Sequence, residues 1–116
     1  MRDGEVLTSV KILRENGDIA GIDVQGHSGY SHYGSDIVCA AVTSAVRLLE
    51  SAVNDVLMLG VPVSIDSGGA KIKMILPAHC RRNECVRVVM EAFALYMAQI
   101  SHEYEENIQV LEVSLC

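Results

Sequence analysis

The turn signal Asn16-Gly17 constrains the fold of this chain more than any other feature of its sequence. It follows segment 5–14, in which apolar and polar residues loosely alternate, and a second strand is expected over 18–26. Both central residues of a type I′ turn need positive φ, and Asn-Gly adopts that conformation readily. The sequence therefore predicts an antiparallel hairpin. One side of its first strand carries the side chains of Val6, Thr8, Val10 and Ile12.

A long helix is predicted after the hairpin. Asp36 is a good N-cap residue, and Gly60 before Pro62 supplies a stop near Leu59. On an ideal helix, Cys39 lies roughly 130° from the centre of the apolar stripe that is expected to face the core, so the thiol is placed away from that face. The stripe comprises Val38, Ala41, Ala45, Leu48, Leu49, Ala52 and Val56.

The remaining elements repeat this order. Strands are predicted at 63–66 and 70–76, followed by a helix over 80–104 and a last strand over 107–115. The core-facing stripe of the second helix is expected to consist of Cys85, Val89, Phe93, Tyr96 and Ile100, joined by Val86 and Met97. The order ββα-ββα-β predicts an α+β fold and a single domain over residues 1–116, with two helices packed on a mostly antiparallel or mixed sheet.

Charge and composition exclude several classes of function. The formal net charge is −6, and a nucleic-acid-binding surface needs clustered Lys and Arg, so we expect no direct contact with nucleic acid. Residues 1–5 lack the apolar run of a secretion signal. The longest apolar region, 37–61, is expected not to cross a membrane, because it is interrupted by Arg47, Glu50, Asn54 and Asp55. These features predict a cytoplasmic protein that attracts basic partners.

The cysteines predict neither a disulfide framework nor a metal site. Cys39, Cys80, Cys85 and Cys116 show no tight spacing and form no Cys-x-x-Cys pair. In a reducing compartment they are expected to be free thiols. We predict no metal and no cofactor. His79 and His102 flank the second helix and are expected to be solvated.

The glycine-rich segment from Gly26 to Ser35 carries the candidate chemistry. It contains His27, and Cys39 follows just inside the predicted helix. A cysteine attacks a carbonyl as the thiolate, which a helix N-terminus and a nearby imidazolium both favour. The histidine then returns the proton to a leaving amine. Cys39 and His27 are therefore the candidate catalytic pair of a small cysteine hydrolase, which we interpret as a protease.

Each candidate residue has an alternative role. Cys39 can be a small buried apolar side chain, although its position away from the stripe argues against this. His32 competes with His27 but has no glycine beside it. Asp36 caps the helix or orients His27 as a third catalytic group. An oxyanion can be bound by N–H groups of the first helical turn, including that of Cys39, and by Gly26.

The motif Gly26-His27, then Tyr33-Gly34, then Asp36-Ile37-Val38-Cys39-Ala40-Ala41 resembles the bacterial ribosomal-processing cysteine proteases, the Prp family. The interval from His27 to Cys39 also fits, and the element order resembles the family over nearly the whole chain. The resemblance implies that these two residues are catalytic and form a thioester acyl-enzyme. It assigns Gly26 and Asp36 to supporting positions, and Thr43 stands where the family commonly has serine.

The resemblance also implies a substrate and an assembly. The chain would be a dimeric cytoplasmic endopeptidase that removes a short N-terminal extension from large-subunit ribosomal protein twenty-seven. The acidic charge agrees with a basic substrate peptide. The alternative hypothesis is a non-catalytic, ribosome-associated assembly module that binds a basic peptide and does not need the thiol. Alkylation separates the two, because a catalytic Cys39 should react well below pH 8, ahead of the other cysteines.

Overall fold

A computed structural model describes residues 7–26, 33–66 and 71–115 of the chain; the side chains of residues 33–36 and the other residues lie outside this described part. The observed elements, in chain order, are β1 Thr8–Glu15, β2 Asp18–Gln25, α1 Tyr33–Glu50, β3 Val63–Ile65, β4 Lys71–Ile75, α2 Glu84–Glu103 and β5 Ile108–Ser114. The strands form one sheet in the order β3-β4-β2-β1-β5. The pair β1–β5 is parallel and the other pairs are antiparallel. The predicted α+β fold with a mixed sheet is confirmed.

The first hairpin turns where the sequence predicts. Asn16 has φ 54° and Gly17 has φ 86°, the two positive values that a type I′ turn requires. The ladder pairs Ser9 with Gln25 at its open end, and its register shifts between Leu13 and Arg14. The hairpin therefore holds the start of β1 beside the end of β2, which is where the glycine-rich segment begins.

Both helices pack on one face of the sheet and enclose a single core cluster. Alternate residues of each strand face the helices, so Val10 and Ile12 of β1 are buried there with Ile22 of β2 and Met74 of β4. Burial of each such side chain contributes about 1.5–3 kcal/mol relative to exposure. The helices contribute Val38, Val42, Val46, Leu49, Val86, Met90, Phe93, Met97 and Ile100.

The predicted core stripe of the first helix is wrong in part. Leu48 is 72% exposed and Val56 is 77% exposed, whereas Val42 and Val46, which the prediction left out, are buried. Apolar residues cover more than one side of this helix, so hydrophobicity alone does not identify which side meets the sheet. The buried side consists of Val38, Val42, Val46, Leu49 and Val53.

The first helix ends in a wider turn. After Glu50 the chain forms a π-helical segment, Ser51–Val56, in which the Leu57 N–H donates to the Ala52 carbonyl at 2.9 Å. Asn54 then holds the exit of the chain, because its side chain accepts from the Val61 N–H and donates to the Val61 carbonyl. The helical segment ends before the predicted Leu59: Leu57 is its C-cap, Met58 after it has φ 56°, and Gly60 with φ 65° lies farther along the exit.

The second helix begins later than predicted. Asn83 is its N-cap, and the Asn83 side chain accepts from the N–H groups of Cys85 and Val86 at 2.8 and 3.1 Å. Cys80 lies before the helix in a 3-10 turn, Ala78–Cys80, and is buried. Cys85 is exposed, so its predicted place on the core stripe is wrong; Val86 is the residue of the first turn that faces the core. Tyr96 is also exposed.

One helical stretch, Ile37–Val56, has the length and composition of a membrane-crossing helix, with a mean hydropathy of 1.4. The polar residues within it therefore do not by themselves exclude a span, contrary to the sequence argument. Central helices of folded domains pass the same criterion. In this structure one side of the stretch, including Val38 and Val46, packs on the sheet.

Candidate active site

Cys39 lies in the second turn of α1. The helix begins at Tyr33, so Cys39 is its seventh residue rather than a residue of the first turn. Only the first four N–H groups of an α-helix lack an acceptor within the helix, and the helix dipole acts mainly on the first turn. The expectation that the Cys39 N–H is free to bind an oxyanion is therefore wrong, and the helix N-terminus is one turn farther from the thiol than expected.

The position of Asp36 in the helix also differs from the prediction. Its backbone lies in the first turn of α1, three residues after the start at Tyr33, and not at the N-cap. The residues Tyr33-Gly34-Ser35 contain no strong helix former, so the sequence favoured a later start. The prediction that Asp36 orients His27 concerns His27 and the Asp36 side chain, which lie outside the described residues.

The side chain of Cys39 lies at the margin of the core. It is half-buried, and its Sγ is 3.7 Å from Oγ1 of Thr8. From the centre of the observed buried stripe, Cys39 is displaced by roughly 60° around the helix, compared with the expected 130°. The thiol therefore lies at the end of the sheet where β1 begins, between the core and solvent.

Gly26 approaches the same threonine from β2. A Cβ placed on Gly26 would lie 3.4 Å from Thr8 Oγ1 and 3.5 Å from Thr8 Cγ2. Thr8 is thus in contact with Cys39 and with the residue that precedes His27 in the chain. The structure brings Gly26 and Cys39 together around Thr8, whereas His27 and the competing His32 lie outside the described residues.

Thr8 is the site residue that sequence reasoning missed. The alternation of β1 placed it on the core-facing side, where it is a polar residue in line with Val10 and Ile12. A buried hydroxyl in an apolar row needs a partner, and that is the signal that was available. The partner, Cys39, is 31 positions away, so local patterns do not identify it.

Thr43 lies one helical turn after Cys39 on the same side of α1 and is exposed. His79 and His102 are also exposed, as predicted. Among residues 7–26, 33–66 and 71–115, no three His, Cys, Asp or Glu side chains are close enough to hold a metal ion. The absence of a metal and of a cofactor stays a prediction.

The charged cluster around Arg14 lies near the opposite end of β1 from Thr8. Arg14 donates to both carboxylate oxygens of Glu91 on α2, at 2.8 and 3.1 Å, and to Glu112 on β5. The hydrogen bonds from Arg14 lower the pKa of Glu91 below its ordinary value. The carboxylates in turn raise the pKa of Arg14. This cluster fastens a helix to the sheet and is not part of the thiol site.

An apolar groove runs between the outer sides of α1 and α2. It has a volume of about 630 Å³, and its walls include Ala41, Ala45 and Leu48 of α1 with Val88, Ala92 and Tyr96 of α2. These residues of α1 lie roughly 150° around the helix from Cys39. The groove and the thiol are therefore on opposite sides of the same helix.

The sequence model of the family described as cysteine protease Prp matches residues 7–109 of the chain. The chain belongs to the cysteine protease Prp family. The match includes Thr8, Gly26 and Cys39, the described residues of the thiol site. Membership shows a cysteine-protease family and assigns no role to an individual residue.

Solved structures share the Prp fold. The crystal structure of SMU.848 from Streptococcus mutans is 26% identical, with a TM-score of 0.88, and the match covers 99% of this chain and 100% of that one. The essential ribosomal processing protease Prp from S. aureus in complex with a substrate peptide is 20% identical, with a TM-score of 0.76, covering 91% and 99% of the two chains. Its complex with a covalently linked product peptide is 21% identical, with a TM-score of 0.73 and the same coverage. A search of curated proteins found no match.

Proposed function

We propose that this Prp-family chain is an endopeptidase that removes the short N-terminal extension of large-subunit ribosomal protein twenty-seven. Cys39 is the nucleophile and His27 is the general base and acid. The observation that carries the proposal is the position of the Cys39 thiol. It is half-buried at the end of the sheet where β1 begins, and it is grouped with Gly26 around Thr8. Gly26 immediately precedes His27 in the sequence, which supports His27 as the proposed partner of the thiol.

The proposed reaction has two covalent steps. In the first, the Cys39 thiolate attacks the scissile carbonyl carbon, the C–N bond breaks, and His27 gives its proton to the leaving amine. In the second, His27 takes a proton from water, the hydroxyl attacks the thioester, and the C–S bond breaks to release the acid and the thiolate. The S. aureus Prp complexes with a substrate peptide and with a covalently linked product peptide support peptide cleavage through a covalent enzyme intermediate.

The oxyanion that forms in each step needs N–H donors. The N–H of Cys39 is engaged within α1, because this residue is the seventh of the helix. The proposed donors are therefore Gly26 and the N–H groups of residues 33–36, which lack acceptors within the helix. Asp36 stays a proposed supporting residue, and Thr43 lies on the same side of α1 as Cys39.

The substrate assignment is supported by charge and by family. The chain has a net charge of −6, and the N-terminal segment of a ribosomal protein is basic, so long-range attraction favours their encounter. The S. aureus relative is described as a ribosomal processing protease. We place the reaction in the cytoplasm, where ribosomal proteins are made, and expect no direct contact with nucleic acid or membrane.

The test is cleavage of the purified ribosomal protein that carries its extension, followed by intact-protein mass spectrometry. The wild-type chain should release the extension, and the Cys39→Ala variant should bind the protein without cleaving it. Cys85→Ala is the matched control, because it removes an exposed thiol from another helix and should leave cleavage unchanged. Cleavage by Cys39→Ala would overturn the proposal, and binding without cleavage by the wild type would favour the non-catalytic assembly module.

We propose further that the chain is a homodimer that associates through the groove between α1 and α2. The groove walls are uncharged, whereas a basic peptide requires anionic side chains, so the groove does not fit the substrate. Two acidic copies repel each other least where their surfaces are uncharged, and exposed apolar residues of this kind mark interfaces. A second copy meeting the same face is the simplest closed assembly. It leaves Cys39, on the other side of α1, accessible.

A further inference from the structure

We propose that Thr8 is a positioning residue of the thiol site: its hydroxyl donates a hydrogen bond to the Cys39 thiolate and fixes the direction of Sγ. The inference rests on the proposed catalytic role of Cys39. It is carried by the 3.7 Å distance between Thr8 Oγ1 and Cys39 Sγ, which is within hydrogen-bonding range for sulfur. A hydroxyl donates to a thiolate more strongly than to a thiol, because the acceptor is charged.

The burial of Thr8 indicates that its hydroxyl has a role other than packing. Thr8 is 3% exposed, and together with Asp23 it is one of the two buried polar residues in the described part of the chain. A valine has nearly the same shape, is well suited to a strand, and would continue the row of Val10 and Ile12. Packing alone therefore does not require a hydroxyl at position 8, and burying one costs free energy unless it is hydrogen-bonded.

The backbone of Thr8 is held by hydrogen bonding on its β5 side. Its N–H donates to the Asn107 carbonyl at 3.0 Å, and its strand pairs with β5 in parallel register. Gly26 lies beside the same side chain: a Cβ placed on it would be 3.4 Å from the hydroxyl oxygen and 3.5 Å from the methyl carbon. The backbone of Thr8 is thus held by β5, and its side chain has little free space towards Gly26.

The position of Cys39 in the helix explains why such a donor is useful. Because Cys39 is in the second turn of α1, the helix N-terminus stabilises its thiolate less than it would in the first turn. A hydroxyl donor against Sγ offsets part of that loss. It also holds the sulfur towards the end of the sheet where Gly26, the residue before His27 in the sequence, lies.

The experiment compares Thr8→Val, which removes the hydroxyl and keeps the shape, with Thr8→Ser, which keeps the hydroxyl. Thr8→Val should lower kcat for cleavage of the extended ribosomal protein about tenfold with little change in KM, the size expected for one hydrogen bond to a charged group. It should also move the pH–rate profile for iodoacetamide alkylation of Cys39 to higher pH. Thr8→Ser should stay within about twofold of wild type in both measurements.

Two further variants keep the test decisive. Ser9→Ala removes a hydroxyl from the other face of the same strand and should change neither measurement. If Thr8→Val does not fold, Thr8→Ala compared with Thr8→Ser isolates the hydroxyl instead. The inference is overturned if the folded variant without the hydroxyl keeps the wild-type kcat and alkylation profile. It is also overturned if Thr8→Ser loses as much kcat as that variant. In both cases Cys39→Ala stays inactive. Cleavage by Cys39→Ala would instead overturn the proposed function.

Discussion

Gly26 lies against Thr8 so closely that a Cβ at position 26 would be 3.4 Å from the threonine hydroxyl oxygen. This contact joins the end of β2 to the start of β1 at the place where the thiol of Cys39 also meets Thr8. The glycine-rich segment therefore starts from an anchored point. Gly26 directly follows Gln25, which pairs with both β1 and β4, so strand pairing fixes the point at which the segment begins.

Gly21 and Gly26 should respond differently to substitution by alanine. A Cβ at Gly21 would lie 2.4 Å from the backbone carbonyl oxygen of Met74, so the paired strands β2 and β4 must move apart. Gly21→Ala should lower the free energy of unfolding by about 2 kcal/mol or more, whereas Gly26→Ala should lower it by about 1 kcal/mol or less. Urea denaturation followed by circular dichroism measures both. Equal losses in the two variants would contradict the close approach at Gly21.

Local signals account for much of the fold. Asn16 and Gly17 adopt positive φ as their sequence predicts, because Asn and Gly tolerate this conformation. The α1 stripe could not be placed, since Leu48 and Val46 are both apolar and only packing decides which of them is buried. The start of α2 was placed too early because residues 80–82 do not prevent a helix, whereas the observed helix begins after the Asn83 cap.

The thiol site was predictable only in its chemistry. The sequence identifies Cys39 as a candidate nucleophile and Gly26 as a close-approach position. It does not identify Thr8, because the Thr8–Cys39 contact depends on how α1 crosses the sheet. It also placed Cys39 in the first helical turn, because Asp36 is a stronger cap signal than the residues at which the helix begins.

Alkylation should distinguish Cys39 from the other described thiols. Cys80 is buried and Cys85 is exposed, so accessibility alone predicts that Cys85 reacts first. An ordinary thiol is only about 1% thiolate at pH 6.5. If His27 and Thr8 favour the thiolate, Cys39 should be modified by iodoacetamide about tenfold faster than Cys85 at this pH, despite being half-buried.

Peptide mapping by mass spectrometry after short exposures gives the two rates. The Cys85→Ser variant confirms the assignment, and the unfolded chain in urea should show no preference between the two residues. Faster labelling of Cys85 than of Cys39 in the folded protein would count against an activated thiol.

Charge in the groove should dissociate the proposed dimer. Leu48 is largely exposed on the groove wall of α1, so Leu48→Glu should not disturb the core. Two carboxylates brought together at an uncharged interface repel each other and lose hydration. Size-exclusion chromatography with light scattering should show a dimer for the wild type and a monomer for this variant.

Leu111→Glu is the matched control for the groove, because Leu111 is also exposed but lies on β5, outside the groove. It should leave the dimer intact. A monomeric wild type, or a dimer that survives Leu48→Glu, would mean that another surface or no surface mediates self-association.

The Glu91–Arg14 pair should contribute stability that depends on pH. The pKa of Glu91 is lowered from 4.5, chiefly by its hydrogen bond from Arg14. A carboxyl group with a lowered folded-state pKa adds stability above its unfolded pKa and loses it as the pH falls through the folded value. Since Glu91 is 51% exposed, solvent screening limits the contribution to about 0.5 kcal/mol.

Glu91→Gln should therefore be less stable than wild type at pH 7, and the two should converge as the pH is lowered below 4.5. Urea denaturation at a series of pH values measures the difference. Glu103→Gln makes the same charge change at an exposed position near the other end of α2 and should give a smaller difference at pH 7. A gap between wild type and Glu91→Gln that grows on acidification would reverse the sign required by a lowered pKa, and the stabilisation would then have to come from packing of the Glu91 side chain rather than from its charge.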